Sequence, residues 1–129
     1  MSKTTIRESV SPSTSQVPAE MEAFLEIASR WSLGTDEQIT LLGGPGRSTF
    51  FKWKKEGGSL PPDTEERLSH LLAIWKSLRI LFTIDERGEQ WVRKPNLYFD
   101  GQSALDVMLR GRVADIYAVR QYLDAQRGG

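Results

Sequence analysis

Cysteine is absent from the 129 residues, which excludes a disulfide framework and a thiolate metal site. Histidine occurs once. A lone His70 leaves no Cys–His, Ser–His–Asp or HExxH constellation for nucleophilic or metal-assisted chemistry. It is expected on the polar side of a helix, with Glu66 four residues before it. No apolar run approaches the roughly 18 residues of a transmembrane helix. The opening MSKTTIRESV has no apolar core for a signal peptide, so a cytoplasmic protein with no membrane partner is expected. Charge of one sign is lacking too. Seventeen Lys and Arg balance 17 Asp and Glu, and the whole-chain charge points to no polyanion. Aromatic residues are not scarce: four Trp, five Phe and three Tyr exclude a wholly disordered chain.

What is present reads as helices. Residues 1–18 are rich in Ser, Thr and Pro without periodicity, and a disordered leader is expected there. Met21, Phe24, Leu25 and Ala28 recur at helical spacing after Pro18, and Gly34 is expected to end that helix. Thr35 is the expected cap of a second helix, with Gln38 completing a capping box. Gly43, Gly44, Pro45 and Gly46 stop it. Ser48 is the expected cap of a third helix, which runs to about Lys55. Pro61 and Pro62 open a long helix, Asp63 to Phe82, with Leu68, Leu71, Leu72, Trp75, Leu78, Arg79 and Phe82 along one stripe. Asp85–Glu89 is expected as a polar turn. Trp91–Asn96 is expected to be extended, because Pro95 disfavours helix before it. Asp100–Gly101 is a turn, and Ser103 caps a short helix with Asp106 three residues on. A last helix spans about Val113–Gln126, with Val113, Ile116, Tyr117 and Leu123 inward. Trp53, Trp75 and Trp91 are expected in the core, and Trp31 half exposed. The fold class is mostly α, divided near Gly57–Pro62 into 19–60 and 61–129.

Arg47–Lys55, RSTFFKWKK, carries four basic residues and no acidic one. Two short helices joined by a glycine turn have the shape of a helix-turn-helix, whose second helix enters the major groove. With Phe50 and Trp53 inward, Arg47, Ser48, Thr49 and Lys52 face DNA, and Lys54 and Lys55 meet phosphates. A solvated basic helix end explains the lysines as well, since the helix dipole favours cations there. Three glycines in the turn argue for a mobile reading helix. The same glycines lack the lysine and the preceding strand of a phosphate loop.

The C-terminal half carries an ordered motif: Asn96, Phe99, Gly101, Ser103, Leu105, Asp106, then Gly111, and a final helix ending at Arg127-Gly128-Gly129. This set resembles the MbcA/ParS/Xre antitoxin family, well over 60–129 and loosely over 19–58. The resemblance implies a helix-turn-helix region followed by a small helical toxin-binding domain. The partner it implies is a RES-domain toxin that consumes NAD⁺, whose pocket the antitoxin's C-terminal region blocks. Carried over here, Arg127, Gly128 and Gly129 enter the pocket, and Arg120 and Gln121 flank its entrance. A glycine-rich end with a terminal carboxylate is expected to be thin, flexible and anionic, which suits a channel lined for phosphates. The motif side chains themselves are expected to maintain the fold.

The expectation is therefore a non-enzymatic antitoxin without cofactor or metal, forming a homodimer within a toxin–antitoxin complex and repressing its own operator. The alternative is a stand-alone helix-turn-helix regulator with a C-terminal dimerisation domain.

Overall fold

The computed structural model describes residues 17–128. The expected leader falls outside the described residues except for Val17 and Pro18, and Gly129 falls outside them too. Seven α-helices follow in order: α1 (Ala19–Arg30), α2 (Thr35–Leu41), α3 (Arg47–Lys55), α4 (Pro62–Leu81), α5 (Asp85–Trp91), α6 (Ala104–Met108) and α7 (Val113–Gly128). A 3-10 turn, Leu97–Phe99, precedes α6. The described residues contain no strand, only an antiparallel bridge between Pro95 and Ser103. The expected mostly helical architecture is present.

One apolar core runs from α1 to α7. Phe24, Trp31, Leu41, Phe50, Leu68, Leu71, Ile74, Met108, Ile116 and Val119 are almost wholly covered. The long α4 is its spine, packing against α1, α5 and α7. Trp31 is 1% exposed, so the half-exposed placement is corrected. Trp53 is buried as expected, while Trp75 and Trp91 pack at the margin of the core. On α7, Val119 takes the inward position expected of Tyr117, which is 44% exposed.

Several helix ends differ from the expected ones for local reasons. Chain α1 stops at Arg30 because Ser32 adopts φ 56°, and Leu33 N–H donates to the Ala28 carbonyl at 2.8 Å. Those are the marks of a Schellman cap with serine where glycine is usual. The cap of α2 is Gly34, one residue before the expected Thr35; Glu37 accepts from Gly34 N–H at 3.0 Å. Gln38 instead donates to the Leu33 carbonyl. Likewise α3 is capped by Gly46 rather than Ser48. The expected polar turn at 85–89 is the helix α5. Its Gly88 is buried, and a β-carbon there would meet Leu78 and Phe82 at 3.4–3.5 Å, so this glycine admits close packing of α5 on α4.

The 92–112 segment follows the motif residue by residue. Asn96 Oδ1 accepts from Tyr98 N–H at 2.9 Å, Phe99 is buried, and Asp100 and Gly101 take φ 57° and 85°. Ser103 Oγ accepts from Asp106 N–H at 3.0 Å while the Asp106 carboxylate accepts from Ser103 N–H at 3.1 Å, the reciprocal bonds of a capping box. Leu105 is buried, and Gly111 (φ 97°) turns the chain into α7. Each matched residue thus has a fold-building task.

Candidate functional site

The first surface is α2–turn–α3. The turn is well anchored, contrary to the mobility that three glycines suggest. Gly43 and Gly44 N–H groups donate to Thr40 and Ile39 carbonyls at 3.1 and 2.9 Å, closing α2 in a second Schellman cap. Thr64 Oγ1 of α4 donates to the Leu42 carbonyl at 2.9 Å in a buried bond. Gly43 has φ 103°, and a β-carbon there would lie 2.8 Å from the Asp63 carboxylate. The glycine is therefore favoured by conformation, and a larger residue would also have to displace the Asp63 carboxylate.

On α3, Phe50 and Trp53 are buried. With about 100° of rotation per residue, the face opposite them carries Ser48, Phe51, Lys52 and Lys55. Ser48, Lys52 and Lys55 are exposed. Arg47 is exposed at the edge, where its Nη1 meets Asp36 Oδ1 at 2.9 Å. Lys54 is half-buried, its Nζ 5.4 and 5.5 Å from the Phe50 and Phe51 ring centroids. Thr49 sits on the opposite flank, lining a hollow of about 290 Å³ with Pro45, Pro61 and Asp63. The structure therefore groups Ser48, Lys52 and Lys55 on the outward face and sets Arg47, Thr49 and Lys54 at its edges. Phe51, 44% exposed, belongs to this face and was missed; its position four residues after Arg47 was the available signal.

The second surface lies along α7. His70 of α4 meets Arg120 at 3.0 Å (Nδ1 to Nη1), and Ser77 Oγ of α4 accepts from Arg127 Nη1 at 3.3 Å. Seven residues separate both members in each helix, so α4 and α7 run side by side in the same direction. Arg120 and Arg127 form one edge of that seam, with Asp124 Oδ2 3.7 Å from Arg120 Nε. His70 is 8% exposed, a correction to its expected polar-side position. Gln121 points away from the seam, into a groove of about 570 Å³ that also holds Tyr98, Arg110, Asp115 and Tyr122. The structure thus sends Arg120 and Gln121 to different faces. Arg127 and Gly128 belong to the last turn of α7 rather than to a loose string, and they share a shallow hollow with Ile80 and Asp124. Gly129 lies outside the described residues.

Large apolar side chains are exposed over the same half of the chain, Ile80 and Tyr98 among them beside α7. Ile80 (55% exposed) and Ile84 (49%) close α4 and open α5. Leu97 is exposed, and Tyr98 sits 4.4 Å from the Tyr122 ring in an aromatic cluster with Phe99. Sequence reasoning missed these four residues as surface features. In the groove wall, Arg112 Nε and Nη2 grip both oxygens of Asp115 at 2.9 and 2.8 Å. That grip holds the Asp115 carboxyl below the ordinary carboxylate range, against the burial that pushes it up. The described residues contain no cluster of three His, Cys, Asp or Glu able to hold a metal, and no helix long and apolar enough to cross a membrane.

Comparison with known proteins matches both halves of the chain. The domain described as "Antitoxin Xre-like helix-turn-helix domain" matches residues 8–73, and "Antitoxin Xre/MbcA/ParS C-terminal toxin-binding domain" matches residues 77–129. The two spans therefore share the single helix α4. Uncharacterized protein y4oB of Sinorhizobium fredii (strain NBRC 101917 / NGR234) is 70% identical over 121 residues, covering 94% of both chains. No solved structure matches the chain. With an anchored helix-turn-helix ahead of a helical unit built on the Asn96–Gly111 motif, the chain belongs to the Xre-type antitoxins, its toxin-binding domain at the C-terminal end.

Proposed function

We propose that this antitoxin neutralises a RES-domain, NAD⁺-consuming toxin by laying the end of α7 across the toxin's substrate pocket, and that it performs no chemistry itself. Arg127, Gly128 and Gly129 enter the pocket, while Arg120 and Gln121 contact its rim from two sides of the helix. One observation carries the protein-binding part. Of the seven large hydrophobic side chains exposed among the described residues, six fall within 77–129: Ile80, Leu81, Ile84, Leu97, Tyr98 and Tyr117. Ile80 lines the hollow beside Arg127 and Gly128, Tyr98 packs on Tyr122 and Tyr117 lies against His70, and exposed apolar side chains concentrated in one region of a chain mark a protein-binding surface. The RES identity of the partner is supported by the resemblance of the Asn96–Gly111 motif.

The test is a chain lacking Arg127–Gly129, co-expressed with the neighbouring RES-type protein. Restored toxicity with an unchanged thermal midpoint is the expected result. Full neutralisation by the truncated chain rejects the pocket-plugging mechanism.

The second role is repression of its own operon in the cytoplasm, as a homodimer that presents two copies of α3 to a two-fold operator. Ser48, Lys52 and Lys55 contact bases and backbone, with Arg47, Thr49 and Lys54 at the flanks. The alternative, a stand-alone regulator that uses the C-terminal surface to dimerise, predicts that Ile84→Asp and Leu97→Asp give monomers in the absence of toxin. Retained dimers with lost toxin binding favour the antitoxin reading.

A further inference from the structure

We infer that His70 is a positioning residue for Arg120, acting as a neutral hydrogen-bond acceptor, so that toxin binding through Arg120 weakens on acidification. The inference rests on the reading that Arg120 contacts the toxin. Arginine has five N–H donors and no acceptor. Its 3.0 Å approach to His70 Nδ1 therefore requires a lone pair at Nδ1. On the other side, Nε2 lies 3.2 Å from Glu66 Oε2, an acceptor when ionised, so the ring proton belongs on Nε2. Two neighbours on two helices thus select one tautomer of the neutral ring.

The surroundings make this arrangement specific. His70 is 8% exposed, so little water is at hand to replace a lost partner. Tyr117 of α7 covers one side, its ring centroid 5.1 Å away. The charged and titratable groups facing the ring are Glu66 from α4, and Arg120 and Tyr117 from α7, with Asp124 behind Arg120. Arg120 Nε is buried without a hydrogen-bond partner, so the imidazole bond is the short contact orienting this guanidinium. Protonation at Nδ1 removes the lone pair and sets two cations against each other. The Glu66 contact strengthens at the same moment, keeping the ring in place, and Arg120 is the group that must turn away.

The experiment has two arms. In the free chain, ¹⁵N NMR of the imidazole between about pH 8 and pH 5 should show a bare Nδ1 and a protonated Nε2 at the alkaline end. Protonation of Nδ1 should then move the Arg120 guanidinium signals in step. The other tautomer, or an Arg120 that ignores the titration, overturns the proposal without touching the toxin reading. In the second arm, affinity for a purified RES-domain toxin encoded beside this chain is measured across the same range. The wild type should lose about tenfold, the size of one charge-assisted bond. His70→Asn, whose amide oxygen can stand near Nδ1, should bind well with a flat profile, and His70→Leu should bind weakly with a flat profile. A wild-type profile that matches His70→Asn overturns the proposal. Full affinity in Arg120→Ala overturns the underlying assignment of Arg120 instead.

Discussion

Two residues in left-handed backbone carry opposite expectations. Gly43 sits at φ 103° beneath Asp63. Gly43→Ala should lower stability by at least about 1–2 kcal/mol from the backbone alone, read as a lower urea midpoint. Ser32 holds the same region at φ 56° with its side chain exposed. Ser32→Gly should therefore raise stability by up to about 1 kcal/mol, and an unchanged or lower midpoint would contradict the cap assignment. Asp115 gives a pH signature. Its folded carboxyl titrates below its unfolded value because Arg112 binds both oxygens. The stabilisation is thus complete above the ordinary carboxylate value of about 3.9 and fades as pH falls through the folded one. Asp115→Asn should be less stable than wild type at neutral pH, and the gap should narrow below about pH 4 in parallel urea titrations.

At the scale of helices, short-range signals were legible where one residue type had one job. Ser103 and Asp106 cap α6 by the bonds that their spacing announces. Thr35 and Ser48 were equally good cap residues by type, yet Gly34 and Gly46 take the cap positions with extended backbone. That backbone is open to any residue, so the cap residue's own type does not decide its position, and Glu37 supplies the return bond to Gly34 from inside the helix. Helix α5 was hidden because Asp85–Trp91 lacks an apolar stripe and contains a glycine, which reads as a breaker until Leu78 is seen against it. For α3, the outward lysines make a prediction of their own. Arg47→Ala with Lys52→Ala should weaken operator binding and flatten its salt dependence, since fewer counterions are released; gel shifts at a series of salt concentrations measure both. An unchanged slope would move the DNA surface elsewhere.

Across the whole molecule, α4 joins the helix-turn-helix to the toxin-binding domain through polar as well as apolar contacts. Arg67, 7% exposed, donates to Asp63 at 2.8 Å and to the Gly111 carbonyl at 2.9 Å, and reaches the Thr40 carbonyl at 3.5 Å. Arg67→Met should cost about 1–3 kcal/mol, because two part-buried carbonyls lose their donor. Thermal unfolding should remain a single transition at a lower midpoint. Two separate transitions would show that the two regions do not share one core. Arg93 plays a similar part at the α1–α2 corner, donating to the Ser32 carbonyl at 2.9 Å and the Trp31 carbonyl at 3.2 Å.

Helix content, the glycine stops, the Ser103 cap and the family motif were all written in the order of residues, because propensity, capping and periodicity act over a turn or two of chain. The parallel seating of α7 on α4 was not. It pairs His70 with Arg120 and Ser77 with Arg127 across fifty positions, and no local rule links residues so far apart. Folding alone turned a histidine assigned to the polar side into a buried acceptor and made a supposedly loose Arg-Gly end the last turn of a helix. Both outcomes depend on which surfaces the core leaves for α7 to cover.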